Sequence, residues 1–304
     1  MLKQTIYIGP LQFEIELSDG CEDLGSAPEF EQRISSIHKV YFVRMELWDY
    51  TKSSDGITLD DGLKRSGQIT YEGNGFDDTG FYKESQQDGW QGSRYIYQLV
   101  DGRKRYYART SLDSNYIHIT LNRQDPMIVG RRFEVWRYLM LEKLLIRQDA
   151  FILHSASIIH RGQAVLFSAP SGTGKSTQAD LWKKYEPGTV GLNGDRNILY
   201  REDGKWFVCG LPWHGTSEDC QNIKVPLKAI AVIRQAEQDS IQELSPVSKL
   251  MAVYSEITLD SADRNFVEHV LTLVSDLIAE VTIVQQNCTM NVTAVRCLQG
   301  YLTE

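Results

Sequence analysis

The segment Ala169-Pro-Ser-Gly-Thr-Gly-Lys-Ser176 restricts the possible folds of this chain more than any other stretch. Gly172 and Gly174, placed just before Lys175 and Ser176, suit a backbone whose successive N–H groups turn inward around an anion. The string fits the Walker A pattern with Ala169 at its first glycine, where an ordinary backbone angle tolerates a methyl group. Such a loop works between a strand and a helix, because the positive end of the helix adds to the ring of amides. The apolar run Gln163–Ser168 reads as that strand and Thr177–Tyr185 as that helix. Ser171, Gly172, Thr173, Gly174, Lys175, Ser176 and Thr177 are the expected phosphate contacts. Lys175 supplies a cation to the outer phosphate oxygens and Ser176 a hydroxyl for Mg²⁺, so the expected ligands are ATP or GTP with Mg²⁺.

Two textures flank this motif. Residues 1–130 alternate polar and apolar in short runs, among them Thr5–Leu17, Val40–Leu47, Arg94–Leu99, Arg105–Arg109 and Tyr116–Leu121. That patterning predicts antiparallel strands, with Asp101-Gly102 as a hairpin turn and Glu72–Gly80 as a loop. Residues 131–304 read as α/β. A helix is expected near Arg132–Arg147, where Phe133, Trp136, Met140 and Leu144 form a stripe. Phe151–Ile159 reads as a strand joined to the next by Arg161-Gly162, Val190–Tyr200 as an interrupted strand, and Lys224–Arg234 as a buried strand. Asn265–Leu277 is an amphipathic helix, and Val281–Leu302 a strand followed by a helix. The fold class is therefore α/β (α+β overall): a β-rich N-terminal region, then a P-loop core with a mixed sheet.

The formal net charge of -8 argues against nucleic acid or an anionic membrane as partner. Arg103-Lys104-Arg105 is a local exception and reads as a solvated hairpin rim. Five scattered cysteines show no CxxC pair, so neither a zinc site nor a disulfide framework is expected. No apolar run reaches the roughly 20 residues that span a bilayer. The expected setting is the cytoplasm.

His154-Ser-Ala-Ser157, a hairpin, Ser171–Thr177 and then Gly191-Leu-Asn-Gly-Asp-Arg196 together resemble the HPr kinase/phosphorylase and phosphoenolpyruvate carboxykinase superfamily. The likeness in layout covers about Leu139 to Glu304, with its diagnostic residues between His154 and Asp195. It implies an HPr kinase C-terminal domain-like core acting as an ATP-dependent kinase on a Ser or Thr hydroxyl of a protein or ribosomally made peptide. Asp195 matches an acidic residue of the family's Asp-Asp pair, as Mg²⁺ ligand or base. Here Gly194 stands before it and Arg196 after it. His154 would sit near the transferred phosphate or the acceptor, and Arg196 would steady charge on the phosphoryl group. The loop Gly210–Asp219 corresponds to a substrate loop, with His214, Thr216, Ser217 and Glu218 as candidate contacts. By the same analogy residues 1–130 would recruit the substrate, and a homo-oligomer is an expected state.

A small-molecule kinase and a nucleotide-sensing module without transfer remain open at this level. No GxGxxG opens a βαβ unit, which excludes a dinucleotide-dependent dehydrogenase. No Asn-Lys-x-Asp signature supports a switch GTPase.

Overall fold

A computed structural model describes residues 2–18, 28–34, 39–48, 68–76, 81–88, 91–100, 103–122, 138–212, 215, 217–259 and 263–303. Within these, residues 68–91, 95–100 and 103–107 are described by backbone alone. The chain divides into two compact units, one of Met1–Ile6, Leu11–Glu31 and Lys39–Leu141, the other of Tyr7–Pro10, Gln32–His38 and Glu142–Glu304. It is a mixed α/β protein with two mixed sheets.

The first sheet contains β1 (Leu2–Ile8), β2 (Leu11–Leu17), β3 (Lys39–Trp48), β4 (Gln68–Phe76), β5 (Phe81–Asp88), β6 (Gln91–Val100), β7 (Arg103–Asp113) and β8 (Tyr116–Asn122). Its strand order is β1-β2-β3-β8-β7-β6-β5-β4. Alternation buries Leu11, Phe13, Ile15 and Leu17 of β2, Tyr41, Val43 and Met45 of β3, and Ile117, Ile119 and Leu121 of β8. The sheet is not antiparallel throughout: β3 runs parallel to both β2 and β8. Period-two burial is the same in either direction, whereas the long connection from Leu17 to Lys39 permits the crossover that a parallel pair requires. Glu72–Phe76 belongs to β4 rather than to a loop, paired with β5 across a register irregularity. Asp101-Gly102 lies outside the described residues, and the strands flanking it pair antiparallel with Val100 facing Arg103.

The second unit contains α1 (Leu141–Ile146), β9 (Ala150–His160), β10 (Gln163–Ser168), α2 (Lys175–Tyr185), β11 (Val190–Asn193), β12 (Arg196–Glu202), β13 (Lys205–Gly210), β14 (Lys224–Gln235), β15 (Ser240–Glu243), α3 (Pro246–Tyr254), α4 (Arg264–Glu280), β16 (Thr282–Cys288) and α5 (Val292–Thr303). Strands β10, β14 and β16 run parallel at its centre, and β9 closes an antiparallel hairpin on β10. Two cores lie against the sheet. One packs Phe266, Val270, Val274 and Leu277 of α4 with Leu153, Leu166, Ile230 and Ile283. The other packs Trp182 of α2 and Leu298 of α5 with Ile158, Val165, Phe167 and Val284. Adjacent residues of β10 point to different cores, which explains its unbroken apolar sequence.

Several expectations change in detail. The helix expected at Arg132–Arg147 is helical in its described part only over α1, because Met140 takes a φ of 53° and breaks the stripe before it. Residues 123–137 lie outside the described residues. Helix α2 begins at Lys175 rather than Thr177, with Gly174 at its N-cap. Helix α4 extends from Arg264 to Glu280 because Asp263 caps it, accepting from Phe266 N at 3.1 Å. Among the described residues no helix is long and apolar enough to cross a membrane.

Trp182 is 1% exposed and fixes α2 against the sheet. Trp182→Ala should lower the unfolding free energy by about 3–5 kcal/mol. Urea denaturation measures this, and a loss under about 1 kcal/mol would show that α2 is not anchored there.

Candidate functional site

The loop after β10 is held open by its two glycines. Gly172 has a φ of 78° and Gly174 of 112°, and a Cβ built on either would meet nothing within 4 Å. Gly174 caps α2 with no side-chain hydrogen bond to the helix, so the first amides of α2 have no capping side chain. Thr173 N donates to Pro170 O at 3.3 Å, closing the loop. Lys175 is buried, and its ammonium donates to Ala169 O at 2.7 Å and Pro170 O at 3.3 Å. Burial holds its pKa below the ordinary lysine value, against the pull of Glu256 and Asp195. The residues present fit a polyphosphate: an open cradle of amides, a helix N-terminus and one cation.

Asp195 reaches the site through a break in a strand. The expected strand Val190–Tyr200 is two strands, β11 and β12, both antiparallel to β9. Between them the buried Asn193 side chain accepts from Asp195 N and Arg196 N, each at 3.0 Å. This Asx turn replaces ladder bonds with side-chain bonds and releases Asp195 from the pleat. Ser157 Oγ donates to Asn197 Oδ1 at 2.6 Å, and Asn197 Nδ2 donates to Ser155 O at 2.7 Å. Ser155, Ser157, Asn193 and Asn197 are all at most 1% exposed. The two serines after His154 therefore anchor the turn that carries Asp195.

His154 lies between two carboxylates. Its Nε2 is 3.5 Å from Asp195 Oδ1, and its Nδ1 is 3.0 Å from Glu256 Oε2. Sequence reasoning missed Glu256. It arrives because β10 ends opposite Ser155, and the segment Glu256-Ile257-Thr258 runs beside β9 beyond that point. His154 N donates to Glu256 O at 2.9 Å, and Thr258 N donates to Ile152 O at 2.9 Å. Arg196 completes the cluster, with Nε 3.4 Å from Asp195 Oδ2 and a guanidinium N–H donating to Thr258 Oγ1 at 2.6 Å. Burial alone would raise the Asp195 pKa. The hydrogen bond from His154 and the charges of Arg196 and Lys175 outweigh it and hold the carboxyl below its ordinary value.

The expected substrate loop is described only in part. His214 and Thr216 lie outside the described residues. Gly215 passes so close that a Cβ on it would stand 3.1 Å from the Asp195 Cβ. The loop is tied down on β11, where Asn193 Nδ2 donates to Leu211 O at 3.0 Å and Gly194 N to Asp219 O at 3.2 Å. Ser217 hydrogen-bonds Asp219, whose carboxylate meets Lys183 Nζ at 2.6 Å. Glu218 is exposed. Geometry thus gathers His154, Lys175, Asp195 and Arg196 with Glu256. Ser217 instead bonds at the anchored base of the loop.

Among the described residues no group of three or more His, Cys, Asp or Glu side chains could hold a metal by itself. A hydroxyl from the exposed Ser176, a carboxylate such as Asp195 and phosphate oxygens form the kind of sparse set that suits Mg²⁺.

No family model matches this chain, and no curated protein matches it. Among solved structures it is similar to the Hpr(Ser) kinase/phosphatase from Coxiella burnetii, at 14% identity and a TM-score of 0.23. The match covers 31% of this chain and 64% of that one, just under two thirds of its length. The functional reading therefore rests on the residues of the site.

A carboxylate with a lowered pKa stabilises the fold fully above its unfolded pKa of about 3.9, and that contribution disappears as pH falls through the folded value. The unfolding free energy of wild type relative to Asp195→Asn should fall as pH is lowered from about 5 to about 2. Urea melts across that range test the sign. A difference that does not vary with pH would contradict the charge environment assigned to Asp195.

Proposed function

We propose that the chain is an ATP- and Mg²⁺-dependent phosphotransferase that phosphorylates a Ser or Thr hydroxyl of a protein or ribosomally made peptide. One observation carries this reading: an open phosphate loop with its lysine within electrostatic reach of Asp195 and Glu256, the carboxylates that flank His154. Phosphoryl transfer demands mainly positioning and charge neutralisation, and this site supplies both. The resemblance of His154–Asp195 to the HPr kinase superfamily supports the choice of a hydroxyl acceptor.

In this reading the amides from Gly172 to Ser176 orient the triphosphate, and Lys175 leaves the carbonyls of Ala169 and Pro170 for the outer phosphate oxygens. Ser176 and Asp195 would hold Mg²⁺, which would supply neutralisation of phosphate charge. Asp195 takes the proton of the acceptor hydroxyl as that oxygen bonds to the terminal phosphorus. The bond to the bridging oxygen breaks, and its electron pair departs on the nucleoside diphosphate. Glu256 acts through His154: by fixing Nδ1 it aims Nε2 at Asp195. Arg196 sits where it balances charge beside the transferred group. The β-rich residues 1–130 recruit the acceptor.

Lys175→Ala should abolish nucleotide binding measured by calorimetry. Asp195→Asn should keep nucleotide bound and lower transfer from γ-labelled ATP to serine-containing peptides by about 10²–10⁴-fold. Unchanged turnover in Asp195→Asn would end the assignment, and label found only in a small molecule would redirect it to that acceptor class. Glu256→Gln should reduce kcat with little change in KM, because it touches neither substrate. Equal loss in both parameters would mark it as merely structural.

A further inference from the structure

The first sheet carries a cleft of about 780 Å³ on the face opposite its buried one. Strand register sets the side chains of this face in rows. Glu14 of β2, Phe42 of β3, Tyr116 of β8 and Asp113 of β7 stand side by side in one row. Glu16, Arg44 and His118 form the next row, and all of these residues line the cleft.

The aromatic pair is not part of the core. Phe42 is 45% exposed and Tyr116 65%, with ring centroids 5.3 Å apart and the rings stacked. Their neighbours Tyr41, Val43 and Ile117 point the other way and are buried. Exposed Phe and Tyr side chains brought together in a cleft are the kind of surface that binds another polypeptide.

Charge distinguishes the two rows. In the second, each cation already has a carboxylate: Arg44 Nη2 lies 2.6 Å from Glu46 Oε1, and His118 Nε2 2.9 Å from Glu46 Oε2. Lys3 Nζ, also in the cleft, lies 2.6 Å from Glu16 Oε1. The aromatic row has a carboxylate at each end and no cation among its members. Glu14 accepts from Thr5 Oγ1 at 3.0 Å and from Gln12 Nε2. Both donors are uncharged, so neither cancels the negative charge that stands in register beside Phe42. An aromatic face attracts a cation, and an adjacent carboxylate strengthens that attraction. The same carboxylates repel phosphate, which disfavours nucleic acid and anionic lipid on this face.

We propose that this face binds a polypeptide partner through an arginine or lysine side chain laid against Phe42 and Tyr116, between Glu14 and Asp113. Apolar residues beside that cation in the partner cover the rest of the rings. The proposal stands apart from the phosphotransferase reading, since it uses none of the residues around Lys175.

The full chain can be titrated, with anisotropy as readout, against two fluorescein-labelled heptapeptides that differ only in a central Arg or Gln between leucines. The Arg peptide should bind about tenfold tighter or more, and its binding should weaken as NaCl is raised. Tyr116→Ala should weaken the Arg peptide by about tenfold. Glu14→Gln should weaken it by about fivefold and leave the Gln peptide unchanged. Phe42→Leu, which keeps apolar bulk and removes the ring, supplies a second reading if Tyr116→Ala does not fold. Equal binding of the two peptides, no binding to wild type at millimolar peptide, or indifference to all three substitutions would overturn the proposal. Sedimentation adds one further outcome: a wild-type dimer that Tyr116→Ala dissociates would make the occupant a second copy of this chain, and the assignment of a cationic partner would fall.

Discussion

The site depends on one buried amide. Asn193 accepts two backbone N–H groups and so replaces the ladder bonds that a continuous strand would make there. An interior amide with both ends bonded is a stable arrangement, while one left half-bonded costs about 1–3 kcal/mol. The hydroxyl and amide groups of Ser155, Ser157 and Asn197 continue the network from Asn193 onto β9. Asp195 leaves the sheet because this network dictates where the strand must break. The backbone that carries the Asp195 carboxylate is therefore held by bonds to a buried side chain.

Strand β9 links this network to the phosphate loop. It carries His154 and both serines, pairs with β10 on one edge and with β11 and β12 on the other. Where β10 turns away to become the phosphate loop, Glu256 and Thr258 take up bonds beside β9. The arrival of Glu256 thus follows from the departure of the phosphate loop. Positive and negative groups then lie together: Lys175 and Arg196 on one side of the balance, Asp195 and Glu256 on the other. This local neutrality lets a buried lysine remain useful as a cation, because each charge has a partner within reach.

What the sequence revealed depended on distance along the chain. The strand, glycine loop and helix around Lys175 were legible because they are contiguous and each has a local reason. Asn193-Gly-Asp195 was legible as an interruption, although the Asx turn behind it was not. Glu256 was invisible, since it meets His154 from 102 positions away, brought there by pairing of the two backbones. The parallel setting of β3 was hidden for a related reason: alternation records which face is buried and says nothing of direction. Glycine-rich Glu72–Gly80 read as a loop, yet Glu72–Phe76 belongs to β4 at the end of the sheet order, and residues 77–80 lie outside the described residues. Helix α3 was overlooked despite a local signal, Ser245 before Pro246, with Ser245 Oγ accepting from Ser248 N at 3.2 Å.

The Asn193 turn has a chemical consequence as the molecule ages. Asn followed by Gly is the dipeptide most open to deamidation, in which the glycine nitrogen attacks the side-chain carbonyl to form a succinimide. Here Gly194 N is engaged with Asp219 O, and the Asn193 side chain is immobilised on Leu211 O and two amides. The folded chain shields this labile peptide with the same bonds that set Asp195 in place. Damage at this position is thus a record of time spent unfolded, and each damaged copy would carry a buried negative charge where the turn needs a neutral amide.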